Sequence, residues 1–130
     1  MLVAEKLNPH FCGHLDGLRE SSLRFPFCDE CHRFHWYPMP LCPHCRCPSW
    51  IWKSVGACAE IYSWTVVRRS FDIGFDHPLP YVVSLVTFAE APEVRLISNL
   101  VDITLEKIAI GLRLAPVFDP VRARVTFRPS

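Results

Sequence analysis

The sequence predicts an all-β chain with a short N-terminal helix, in which a small metal-stapled ribbon precedes a five-stranded barrel. Two observations carry that reading. Cys28-Asp29-Glu30-Cys31 and Cys42-Pro43-His44-Cys45 are two Cys-x-x-Cys pairs ten residues apart, and five β-rich runs follow Trp50 with one interruption between the third and the fourth. At 130 residues the chain holds one domain or two very small ones, and a small unit beside a main core usually needs a staple. The expected boundaries are 1–24 for a helical segment, 25–49 for the ribbon and 50–130 for the barrel.

Asn8 as N-cap and Pro9 at the first helical position open a segment in which Phe11, Leu15 and Leu18 recur at helical spacing. A short amphipathic helix over roughly residues 9–20 follows. Its apolar face is too narrow to stand alone, so it packs within the chain or on a partner protein, the first being the simpler expectation. Leu23 to Phe27 reads as a strand leading into the first cysteine pair.

The two pairs present four thiolates as two knuckles, which is what tetrahedral zinc requires when no position stays open for substrate. One structural zinc on Cys28, Cys31, Cys42 and Cys45 is therefore expected. Rubredoxin-type iron takes the same four-sulfur geometry, and a visible spectrum separates the two metals. Cys28-x-x-Cys31-His32 also fits c-type haem attachment, and the second pair a thioredoxin-like redox site. The first wants export and a single pair; the second wants a βαβ setting that is missing around Cys45. With four cysteines in place, His32, His35 and His44 read as supporting or surface residues, and Cys47 as a spare thiol. Phe34 to Pro40 is long enough for a short strand and return, and its aromatic cluster is too large for a ribbon to bury by itself.

No apolar run approaches the roughly twenty residues of a membrane span, and Met1 to Lys6 lacks the basic start, apolar core and cleavage site of a signal. A soluble, cytoplasmic protein in a reducing compartment is expected. The formal charge is +1, and four zinc-bound thiolates with one dication move it by −2. That is not the balance of a protein built mainly to bind nucleic acid.

In the barrel region, Trp50 to Val55, Gly56 and Ala57 to Arg69 read as one long first strand bent near Gly56. Tyr62, Trp64 and Val66 are expected on one face, with Ile61, Thr65 and Val67 on the other. Tyr81 to Ala89, Val94 to Val101, Leu112 to Phe118 and Val121 to Arg128 supply the other four strands. In the last of these Val121, Ala123, Val125 and Phe127 should face inward. Five strands with a short helix or turn at Asp102 to Ile110, between the third and the fourth, is the order of an OB-fold.

With these residues in hand the chain resembles a known family. The helix ending near Gly17-Leu18, the paired knuckles, Ile61 to Val67, Pro80 to Val83, Ser98 to Val101, Ile110 to Leu112 and the closing Phe127-Arg128-Pro129 are together similar to the zinc-ribbon plus OB-fold proteins associated with acyl-CoA enzymes. That family was long catalogued as a domain of unknown function. The resemblance implies a rubredoxin-like zinc ribbon, an OB-fold barrel and the role of a non-catalytic accessory subunit. The implied partner is a thiolase-like enzyme of thiolase, acyl-CoA aldolase or HMG-CoA synthase type in lipid or steroid side-chain metabolism; some relatives pair with hot-dog hydratases. It also implies a hetero-oligomer with acyl-CoA at the shared interface. The chain departs from the pattern where His32, Arg46 and Ser21 replace glycines that relatives commonly carry.

The residues offer little independent catalytic machinery: Gly-rich phosphate loops and Gly-x-Ser-x-Gly elbows are missing. Asp72, Asp76 and His77 lie close together in sequence and read more simply as part of a loop that orders on a partner. That loop, Ser70 to Pro80, carries Phe71, Ile73, Phe75 and Leu79. It is expected to dock on the partner, with Arg68 and Arg69 near CoA phosphates and Trp64 or Tyr81 near its adenine or pantetheine. Two alternatives remain at this level: single-stranded nucleic-acid binding through Trp64, Tyr62, Arg122, Arg124 and Arg128, and electron transfer through an iron-loaded ribbon.

Overall fold

The computed structural model describes residues 9–69 and 78–130. Its element order is a 3-10 turn Pro9–Phe11, helix α1 (Cys12–Arg19), then strands β1 (Leu23–Cys28), β2 (Trp50–Val55), β3 (Ala59–Val67), β4 (Tyr81–Phe88), β5 (Ala91–Leu100), β6 (Arg113–Asp119) and β7 (Arg124–Pro129). The chain is nearly all β, as expected.

Pro9 opens the 3-10 turn rather than α1. The expected cap, Asn8, lies outside the described residues, and Phe11 at the observed N-cap offers no side-chain bond. The end of the helix is sharply defined: Ser22 N–H donates to Gly17 O (2.8 Å) and Ser21 N–H to Leu18 O (3.1 Å), with Ser21 at φ 56°. That is a Schellman closure with serine in the place glycine usually takes. His14, Leu15, Gly17 and Leu18 are buried, so the helix packs within the chain. Gly13 permits that packing, since a Cβ there would sit 2.3 Å from the Trp52 indole.

The long first strand predicted from Trp50 to Arg69 is two strands in two sheets. β2 pairs with β1 antiparallel, from Leu23↔Val55 to Cys28↔Trp50, and the closed barrel begins at β3. Gly56 marks the break, its N–H bonded to Glu90 Oε2 at 2.6 Å. The strand expected at Phe34 to Pro40 is also absent. Only an isolated bridge, Phe27↔Phe34, forms there; Pro38 and Pro40 have no N–H to continue a ladder.

The barrel order is β3-β4-β5-β7-β6, closing where β6 meets β3. All neighbours are antiparallel except β5 and β7, which meet in parallel at Leu100↔Phe127. The 3-10 turn Leu105–Lys107 lies between β5 and β6, in the interval predicted for it. β4 alternates half-buried and buried along its length, turning Val82, Ser84, Val86 and Phe88 into the core.

Two strand assignments need correcting. The β3–β4 register slips between Ile61 and Ser63, so Ile61 pairs with Val86 and Trp64 with Ser84. Opposed residues share a face. Ile61, Trp64 and Val66 therefore share the inner side, and Tyr62 is the extra residue turned out. In the last strand, Val121 is 93% exposed because β7 begins only at Arg124 and Pro120 to Ala123 is a turn; Ala123 is buried as expected, but from that turn, at φ 52°.

Phe25 is the joint of the molecule. It has no exposed surface, and its ring lies 5.2 Å from Trp36, 5.3 Å from Phe88 and 5.7 Å from His14. Ribbon loop, barrel and helix meet on one side chain.

The buried histidines give stability a pH dependence. Burial holds His14 below its ordinary pKa, against the smaller upward pull of its bond to Arg24 O (3.1 Å). His35 is shifted the same way, by burial first and then by the charge of His44. The unfolded chain takes up these protons near pH 6.5, and the folded chain only at lower pH. Stability from this source is therefore complete above that pH and is lost as pH falls through the folded values. The urea midpoint is expected to drop between about pH 7 and about pH 5.5, with a shallower drop in His14→Gln.

Candidate functional site

The two knuckles are built alike. Cys28 N–H donates to Arg33 O (2.9 Å) and Cys42 N–H to Cys47 O (2.9 Å); the chain then returns through His32 N–H to Cys28 O (3.1 Å) and Arg46 N–H to Cys42 O (2.7 Å). Each turn aims backbone N–H groups at sulfur. Glu30 and Cys31 donate to Cys28 Sγ (3.4 and 3.5 Å), and His44 donates to Cys42 Sγ (3.4 Å).

The turns bring the four predicted sulfurs together, all within 4.8 Å of one another. Cys28 Sγ lies 3.5 Å from Cys45 Sγ and Cys31 Sγ 3.7 Å from Cys42 Sγ. A tetrahedron with metal–sulfur bonds of about 2.3 Å has edges of about 3.8 Å, so the spacing fits one ion such as zinc.

Charge makes the same point. The Cys31 backbone N–H is the main cause that lowers the Cys28 thiol to about 6. Cys45 gains from the Cys47 backbone N–H, yet burial and the neighbouring sulfurs drive it up to about 12, and burial raises Cys31. The Cys28 thiolate forms readily, while Cys31 and Cys45 resist. A dication at the centre would remove that resistance.

The departures from glycine noted in the sequence fall on strained backbone. His32 and Arg46, one after each knuckle, stand at φ 56° and 65°, and Ser21 at 56°. L-residues lose about 1 kcal/mol in this left-handed region, and glycine does not. The triple variant Ser21→Gly, His32→Gly, Arg46→Gly is expected to melt several degrees higher and to give up metal to a chelator more slowly. A lower melting temperature would contradict it.

Of the other predicted residues, Arg68, Arg69 and Tyr81 lie at one end of the β3–β4 ladder. Tyr81 pairs with Val67, and exposed Arg68 and Arg69 follow directly. Trp64 is 38% exposed and shares the inner side with Ser84, so it and Tyr81 lie on opposite faces of the sheet. Phe71 and Phe75, with Asp72, Asp76 and His77, lie outside the described residues. Arg124 and Arg128 are on β7, which neighbours β5 and β6 rather than β3. The structure does not gather them with Trp64. No helix among the described residues is long and apolar enough to cross a membrane.

The family model for the ChsH2 C-terminal OB-fold domain matches residues 52–119. The chain belongs to that family. A curated relative, the "Probable enoyl-CoA hydratase alpha subunit" of Thermomonospora curvata, is 33% identical over 118 residues, covering 88% of this chain. The chain spans only 36% of that relative's length. Among solved structures, a chain of the Ltp2-ChsH2(DUF35) aldolase superposes with a TM-score of 0.79 at 28% identity, over 94% of this chain and 95% of that one. A DUF35-family protein of unknown function from Sulfolobus solfataricus gives 0.71 at 15% identity, over 98% and 93%, and shares the fold. The family match runs from β2 to the end of β6 and stops before β7, whereas the aldolase chain covers ribbon and barrel together.

Proposed function

We propose that this chain is a non-catalytic accessory subunit that binds a thiolase-like enzyme and helps to form its acyl-CoA channel. The observation that carries the proposal is the end-to-end match to the ChsH2(DUF35) chain of an aldolase, ribbon included. The hydratase-subunit relative, most of whose length lies beyond this chain, supports an acyl-CoA enzyme as the setting. In this reading Cys28, Cys31, Cys42 and Cys45 hold one structural zinc that fixes the ribbon. The enzyme subunit brings the catalytic groups, and the complex works in the cytoplasm on lipid or steroid side-chain substrates. Arg68 and Arg69 face the CoA phosphates, with Trp64 or Tyr81 on its adenine or pantetheine.

Co-expression with thiolase-like genes from the same genome tests it. A stoichiometric complex is expected, and the isolated chain is expected to turn over no acyl-CoA thioester. Salt-dependent oligonucleotide binding without such a complex would favour the nucleic-acid reading instead. Within the complex, Arg68→Ala with Arg69→Ala should weaken acyl-CoA binding at least tenfold by calorimetry; unchanged affinity would remove the two arginines from the site.

A further inference from the structure

Both irregularities of the β3–β4–β5 ladders border one hollow. The first is the slip between Ile61 and Ser63; the second lies between Val86 and Phe88 where β4 meets β5. Beside them lies a groove of about 870 Å³ on the barrel wall, whose accessible lining includes Ala57, Ala89, Pro92 and Ala115. Bulges re-aim side chains. Here the extra residue of β3, Tyr62, turns onto the wall of the groove, and the Arg95 guanidinium lies over its ring, 4.5 Å from the centroid.

Arg95 is fixed further by Nη1, which donates to Pro92 O (2.6 Å) and Val94 O (3.2 Å). These contacts use one nitrogen and one face, and the rest of the fork stays available. A guanidinium already held in place loses little freedom on gripping an anion. Arg113 also lines the groove, opposite Glu60 in the β3–β6 register. Of these two arginines, Arg95 is the one whose guanidinium is held in place, by an aromatic face and two carbonyls.

We propose that this groove binds an amphipathic oxyanion, its apolar body along the Ala57, Pro92 and Ala115 lining and its carboxylate or phosphate on the open edge of Arg95. The volume is that of a small-molecule site, about 300–1,000 Å³. It lies at the opposite end of β3 from Arg68 and Arg69, and it is a property of the chain alone. The partner reading can fail without affecting it.

The test is an amide chemical-shift titration of the zinc-loaded, isotope-labelled full chain with decanoate, decyl phosphate, decanol and decyltrimethylammonium. At least one anion should move the amides of Ala57 to Tyr62 and Arg113 to Ala115 and bind at least tenfold more tightly than the alcohol or the cation. The tighter anion identifies the group the fork prefers. Arg95→Gln should erase the preference, while Arg95→Lys, which keeps the charge without the fork, should retain part of it. Equal affinity for decanoate, decyl phosphate and decanol, an Arg95→Gln chain that binds like the original, or shifts centred on Ile97 and Ile110 would each overturn the proposal.

Discussion

Cys42→Ser is expected to reduce metal content from one ion per chain to near zero and to unfold the ribbon while the barrel persists. Cys42 has no exposed surface, and neither has Cys28. Structural zinc in small peptides contributes about 10–16 kcal/mol of apparent binding energy at neutral pH, and that energy is folding energy. A buried serine would leave an open coordination position that water reaches poorly. Cys45 is exposed, so in Cys45→Ser water can take the vacant place and a weakened site should survive. Elemental analysis gives the metal content, and hydrogen exchange should show protection lost across Leu23 to Cys28 and Trp50 to Val55 but kept in β4. Full occupancy in Cys42→Ser would refute the assignment.

Phe25→Ala is expected to cost about 3–5 kcal/mol, the range for a large buried aromatic cut back to a methyl group. Its neighbours Trp36, Phe88 and His14 belong to three different parts of the fold and cannot close the hole together. The variant should lose cooperativity as well as stability, with the ribbon and barrel unfolding at separate denaturant concentrations. A single transition shifted by under about 1 kcal/mol would show that the joint lies elsewhere.

Local pattern alone makes the metal ligands and most of the barrel strands legible. Cys-x-x-Cys spacing fixes a turn by itself, and the buried-exposed alternation of β4 follows directly from Tyr81 to Phe88. Pairing is less readable. Trp50 to Val55 looks the same whether it continues into the barrel or lies against β1, because that choice depends on residues more than twenty positions away. The extra residue at Tyr62 is hidden as well, since it reverses the face of every later position without changing composition. The Tyr62–Arg95 pair escapes sequence reasoning for that reason. The strained backbone at His32 and Arg46 is foreseeable only through the comparison with relatives that carry glycine there.

Only Gly56, Ala57 and Cys58 separate the strand that completes the ribbon sheet from the strand that starts the barrel. With α1 touching both β1 and β7, so short a span leaves the two halves almost no freedom to swing. Ribbon and barrel therefore behave as one rigid piece, and any protein that touched both would meet them at a spacing already set by the fold.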